Sequence, residues 1–209
     1  PEQELSFAQA VTILIRVLGY SSDKVGAVWP DGYLNLAQSI GLTDGISAKA
    51  GDTLTRAQAA QLFVNALSCK TGEGKDYYTT LGSESKRDTV LLAVNTQTDD
   101  GSAMGAVRTS EGTYLPDAED VAPTALVGRR GVLVLNDQSE IVTFVPDDST
   151  SVTVSLLDNA EPSYLTAMGG SRYTIAADTP IYTSGSSEGK PYSEGYMTLT
   201  AGSRLTLFT

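Results

Sequence analysis

Leu54-Thr55-Arg56-Ala57-Gln58-Ala59 repeats Leu5-Ser6-Phe7-Ala8-Gln9-Ala10 at an offset of forty-nine positions (54 minus 5), and Leu67 repeats Leu18 at the same offset. Self-similarity at a period of about 20–50 residues marks a repeat architecture. In such an architecture each unit carries an apolar face that only a neighbouring unit can bury. The two copies differ most in chemistry at one place, where Phe7 of the first becomes Arg56 of the second.

Both copies open like a helix. Ser6-x-x-Gln9 and Thr55-x-x-Gln58 fit the capping box, in which the hydroxyl accepts from the N3 amide and the glutamine reaches back to the cap's own amide. Behind the first cap, Phe7, Ala10, Val11, Leu14 and Leu18 keep to one helical face, predicting a helix over 5–18. Gly19 stands where a C-terminal cap would stop it, with Tyr20 folding back over the last turn. Tyr33, Leu36, Ala37 and Ile40 repeat the helical spacing and end at Gly41 and Leu42. Ala59, Leu62, Phe63, Ala66 and Leu67 predict a third helix over about 55–67.

Beyond Cys69 the texture changes. Lys70 to Lys75 is small and polar and reads as a linker. β-branched residues then alternate with polar ones, predicting strands at 89–94, 104–109, 131–135, 140–145, 151–156, 172–176, 179–183, 196–200 and 204–208. The clearest hairpin joins Val132-Leu133-Val134-Leu135 to Ile141-Val142-Thr143-Phe144 through Asn136-Asp137-Gln138-Ser139. The expected class is therefore α+β. A small helical unit over 1–70 precedes an antiparallel β-rich region over 71–209, sandwich or barrel-like, with a further split near 147.

Composition narrows the chemistry. The chain has 209 residues, 41% hydrophobic and 19% charged, which suits one or two folded domains. No run of about 18 apolar residues occurs, so no membrane insertion is expected. No histidine is present, which removes Ser-His-Asp and Cys-His catalysis and His-bound metals. Cys69 is the single cysteine and forms no intrachain disulfide. No leader is visible at Pro1, and the chain stops inside the alternation Leu205-Thr206-Leu207-Phe208-Thr209, so it reads as a piece of a longer protein.

Charge is divided unevenly. Residues 1–70 carry five basic against six acidic side chains, and residues 71–209 carry nine against nineteen. The acidic β-rich region repels nucleic acid and anionic lipid, so an anionic partner would meet the N-terminal third. Arg56 is the natural contact there. A cation in the first helical turn opposes the macrodipole, and folding alone gives no reason for it. A guanidinium beside free helix-terminal amides forms a receptor for a carboxylate, and the alternative reading is an Arg simply solvated in the first turn.

Trp29-Pro30-Asp31-Gly32-Tyr33, Gly41-Leu42-Thr43-Asp44-Gly45 and Leu54-Thr55-Arg56-Ala57-Gln58-Ala59-Ala60-Gln61-Leu62 together resemble a surface-layer homology repeat. That family carries a Trp near the first helix, a Gly-Leu-x-x-Gly turn and a Thr-Arg-Ala-Glu opening to the last helix. The resemblance spans about residues 25–67, and residues 5–20 resemble the closing helix of a preceding repeat. It implies non-covalent attachment to an acidic secondary cell-wall polymer, often pyruvylated, with three repeats usually forming a pseudo-threefold unit. It places the wall-polymer contacts on Arg56, Trp29, Gly41, Thr55 and Gln58, and the protein outside the cell in the wall or surface layer. Gln58 stands where the family has glutamate, Phe7 where it has arginine, and about one and a half repeats cannot close a three-repeat domain.

Other candidates are thinner. Trp29, a large aromatic ahead of a helix, reads more readily as a core residue than as a sugar platform. Asp99-Asp100, Asp117-x-Glu119-Asp120 and Asp147-Asp148 carry carboxylates suited to calcium, but none has a loop spacing that specifies a site, and no cofactor is expected. Tyr77, Tyr78, Tyr182, Tyr192 and Tyr196 suit either glycan stacking or strand packing, and Arg129-Arg130 reads as surface charge. The expected function is a non-enzymatic cell-surface protein whose β-rich part is a surface-layer building block or spacer, with self-association in a lattice. The alternatives are a secreted carbohydrate-binding adhesin, or a wall-attached enzyme whose catalytic domain lies elsewhere.

Overall fold

The structure is a computed structural model that describes residues 4–119, 121–147, 149–183 and 188–208. It divides into two compact units, Pro1–Ser83 and Glu84–Thr209. Helices occupy the first and antiparallel strands most of the second, an α+β chain.

Unit one holds α1 (Phe7–Val17), α2 (Ser22–Val25), α3 (Asp31–Ser39) and α4 (Arg56–Ser68). Both capping boxes form. Gln9 N–H donates to Ser6 Oγ at 3.3 Å while Ser6 N–H donates to Gln9 Oε1 at 2.9 Å. The second copy matches, with 3.2 Å to Thr55 Oγ1 and 3.0 Å to Gln58 Oε1. Two helix ends also match. After α1, Gly19 N–H reaches Arg16 O and Tyr20 N–H reaches Ile15 O; after α3, Gly41 N–H reaches Gln38 O and Leu42 N–H reaches Ala37 O. Each pair is a Schellman motif whose glycine holds the left-handed φ it requires, 80° and 78°.

The openings of the two copies lie side by side. Ser6 bridges Thr53 in antiparallel fashion, Leu54 N–H donates to Leu5 O, and Phe7 N–H donates to Asp52 O. One core gathers Phe7, Val11, Leu14, Ile15 and Leu18 of α1 with Ala37, Leu42, Leu62, Ala66 and Cys69.

The tract expected as a linker is packed instead. Gly72 N–H donates to Leu18 O at 2.8 Å, and a Cβ on Gly72 would lie 2.3 Å from Gly19 O. Lys70 pairs with Asp76 at 2.5 Å, and Tyr77 packs on the helical core. Polar composition hid this, because the tract is held mainly through its backbone.

Unit two begins with β1 (Glu84–Gln97), the centre of a five-stranded antiparallel sheet. The others are β2 (Met104–Thr109), β3 (Gly112–Tyr114), β4 (Arg130–Leu135) and β5 (Ile141–Pro146), in the order β3-β2-β1-β4-β5. The first half of β1 pairs with β4 and the second with β2. The register shifts between Lys86 and Thr89, where Asp88 takes a φ of 57°. A bulge of this kind bends a strand and lets it change partner. The expected β4–β5 hairpin forms, its loop closed by Asn136 Oδ1, which accepts from Gln138 N–H and Glu140 N–H. Leu91, Val107, Leu133, Leu135, Ile141 and Phe144 form the core of this sheet.

The rest of unit two is three two-stranded ladders: β6 (Ser151–Ser155) with β11 (Arg204–Phe208), β7 (Tyr164–Thr166) with β8 (Arg172–Thr174), and β9 (Pro180–Ile181) with β10 (Lys190–Pro191). They share a second core around Leu156, Leu165 and Tyr192. Residues 196–200 do not form the expected strand. Tyr192–Gly195 is a short helix, α5, continued by a 3-10 turn at Tyr196–Thr198. Tyr192 and Tyr196, four apart and so on one helical face, bring their rings to 5.9 Å.

Candidate functional site

Arg56 is the first residue of α4, its side chain exposed. Among the described residues it has no ion pair and no side-chain hydrogen bond. The capping box places the hydroxyl of Thr55 on Gln58 N–H and the amide oxygen of Gln58 on Thr55 N–H. The preceding amides of α4, at Arg56 and Ala57, are among those a helix cannot satisfy internally. Thr55 and Gln58 thus hold the helix mouth open while the guanidinium stands beside it, a cation and amide dipoles in one place.

Trp29 is 58% exposed, so it is not a core aromatic. Its Nε1–H donates to Thr12 Oγ1 at 3.2 Å, and Thr12 in turn donates to Ala8 O at 2.7 Å. This chain sets the indole against α1 along a shallow groove of about 330 Å³ lined by Glu4, Leu5, Gln9, Thr12, Ile13 and Trp29. An aromatic face flanked by amide, hydroxyl and carboxylate groups offers stacking and hydrogen bonding together, the chemistry a sugar ring uses.

Gly41 has a conformational task instead. It terminates α3, and a Cβ there would sit 3.1 Å from Asp44 Oδ2. Its turn is clamped by Asn65, whose Nδ2 donates to Leu42 O at 3.0 Å and to Asp44 O at 2.8 Å. Asn65 lies nine residues beyond Arg56 (65 minus 56), about 13 Å along the helix. Arg56, Thr55 and Gln58 therefore form one cluster, whereas Trp29 stands in a groove on α1 and Gly41 in a turn beside the far half of α4. Sequence reasoning missed the groove-lining Leu5 and Ile13. Aligning each with its repeat equivalent shows nothing special; only their exposure in the structure does.

The carboxylate pairs act as turn fasteners. Hydrogen bonds from the backbone and hydroxyl of Ser102 and from Thr98 hold the Asp100 carboxyl down at about 2. Asp99 accepts from Thr113 at 2.8 Å and lies 3.8 Å from Arg108. Ser149 holds Asp147 low in the same way. Asp120 and Asp148 lie outside the described residues. Among the described residues no three carboxylate or thiol groups gather as a metal site.

Among the tyrosines, Tyr78 and Tyr192 are buried, and Tyr192 donates to Glu161 O and Tyr164 O at 2.7 and 3.0 Å. Arg130 is not plain surface charge: its guanidinium lies 5.0 Å from the Phe208 ring and 3.8 Å from Asp88. A polar hollow of about 590 Å³ in unit two includes Asp99, Arg108, Thr113 and Tyr182 in its wall.

With this geometry in place, comparison gives one likeness. The chain is 28% identical over 91 residues to the middle cell wall protein of Brevibacillus brevis. The match takes in 44% of this chain and only 8% of that protein. No family model and no solved structure matches the chain. The likeness to a cell wall protein, distant as it is, points to a role at the cell surface. Among the described residues no helix is long and apolar enough to cross a membrane.

Proposed function

We propose that the helical unit attaches the protein non-covalently to an acidic cell-wall polymer, with Arg56 gripping a sugar carboxylate at the mouth of α4. The observation that carries this reading is the exposed guanidinium at a capped helix start, without an ion pair among the described residues. Thr55 and Gln58 position that mouth, and Trp29 supplies a stacking face in its own groove along α1. The β-rich unit serves as a surface-layer building block or spacer. The protein works without catalysis, in keeping with a chain that has no histidine. The resemblance to surface-layer homology repeats and the likeness to a cell wall protein both support the reading.

The test is co-sedimentation of the full chain with purified wall carrying its acidic polymer. Hydrogen bonds to a charged group contribute about 1.5–3 kcal/mol. Arg56→Ala should therefore weaken binding by roughly 10- to 100-fold, and added salt should weaken the wild type as well. Undiminished binding by Arg56→Ala overturns the proposal. A second reading, an adhesin that binds glycans in the polar hollow of unit two, rests on Arg108 and Tyr182 there. It predicts that Arg108→Ala, and not Arg56→Ala, lowers binding.

A further inference from the structure

The acidity of unit two stops at one sheet face. Leu156 bridges Ala167, Leu157 N–H donates to Thr166 O, and Met168 N–H donates to Ser155 O. These contacts join two ladders into four neighbouring strands in the order β11-β6-β7-β8. Leu165, Tyr173, Leu205 and Leu207 turn inward to the core around Leu156, so the residues alternating with them turn outward. Residues 84–209 carry eight basic and seventeen acidic side chains, yet the outward positions of these strands hold Arg172 and Arg204 and no acid. Arg172 stands across from Thr166 and Arg204 across from Ser155, with exposed Leu157 and Met168 between the two pairs. The Arg172 guanidinium lies 4.1 Å from the centre of the Tyr164 ring. Among the described residues neither arginine has an ion pair or a side-chain hydrogen bond.

We propose that this face binds a carboxylated sugar chain. Stacking on Tyr164 holds the Arg172 guanidinium in one plane and leaves its N–H edge to fork onto a carboxylate. Arg204, three strand spacings away at about 14 Å, meets a second carboxylate of the same chain. Between them the hydroxyls of Thr166 and Ser155 donate to and accept from sugar hydroxyls, and the apolar side of a ring rests on Leu157 and Met168. Size separates a sugar chain from a protein partner. Four strands and five residues make a plate of roughly 14 by 17 Å, far short of the about 800 Å² a side that a stable protein interface needs. The face is open to water, so its ion pairs are screened and it binds weakly, with a Kd on the order of 1 mM. It adds to attachment elsewhere without replacing it, and it does not depend on Arg56.

The three methionines give the readout, because Met168 lies on this face while Met104 lies on β2 and Met197 in the 3-10 turn. The full chain carrying Arg56→Ala, isotope-labelled at its methionine methyl groups, is titrated in low salt with a galacturonic acid trimer. Nuclear magnetic resonance follows the methyl signals up to about 10 mM ligand, where a millimolar site fills. The Met168 signal should shift saturably while those of Met104 and Met197 stay in place, and neutral maltotriose should leave all three unmoved. Arg172→Gln and Arg204→Gln, both at exposed positions, should each weaken binding roughly fivefold. Tyr164→Leu should weaken it as Arg172→Gln does, and Tyr164→Phe, which keeps the ring, should not. An unmoved Met168 signal, an equal shift with maltotriose, or undiminished binding by both arginine variants overturns the inference. With Arg56 already removed, none of these outcomes bears on attachment at the mouth of α4, which the wall co-sedimentation reads.

Discussion

Phe7 and Arg56 stand at the same place in two copies of one capped helix opening, and their surroundings are opposite. Phe7 is 4% exposed in the core of the helical unit, while Arg56 projects into solvent. The caps are alike to within a few tenths of an ångström in every hydrogen bond. The local code therefore starts the helix without deciding which face is buried. That decision belongs to the neighbouring copy, which covers α1 through residues 50–54 and leaves the matching face of α4 uncovered.

The sharpest way to break the comparison is to exchange the residues. Phe7→Arg places a guanidinium among Val11, Ile15 and Leu62, where burying an unpaired charge costs several kcal/mol. Thermal melting should show the helical unit unfolded or strongly destabilised.

Alkaline pH probes the same core from the far end of α4. Burial pushes the Cys69 thiol up from 9.0 to about 11, and its Sγ–H donates to Ile40 O at 3.3 Å. The folded state keeps its proton while the unfolded chain loses it. The thiol's contribution is therefore complete below pH 9.0 and declines as pH rises toward 11. Denaturant midpoints measured across that range should fall more in the wild type than in Cys69→Ala.

Thr55→Ala removes a cap hydroxyl and should cost about 1 kcal/mol in the denaturant midpoint; Ser6→Ala should cost a similar amount if the two openings are equivalent. Arg56→Phe, the reverse exchange, should change stability by less than about 0.5 kcal/mol, because nothing covers that position.

What could be read from the sequence was local. Capping boxes, glycine stops and the β4–β5 hairpin each depend on a few adjacent residues, and each formed as expected. The strands β3, β7, β8, β9 and β10 are two or three residues long, where alternation barely shows, and of these only β8 and β9 fell within expected strands. The 70–75 tract reads as a linker from its composition, but its backbone ties it to Leu18. At the candidate site, Arg56 was legible as a cation that helix formation does not require. The groove was not, because Leu5 and Ile13 have repeat equivalents that are ordinary core residues, Leu54 and Leu62. Periodicity identifies an apolar face but is silent on whether a neighbour covers it.

The most direct test of attachment is a calorimetric titration of the full chain with acidic wall glycan, once in its native form and once with its carboxylates esterified. Saturable binding to the native glycan that vanishes on esterification, and is lost equally in Arg56→Ala, is the predicted result. Equal affinity for the two glycan forms contradicts the account.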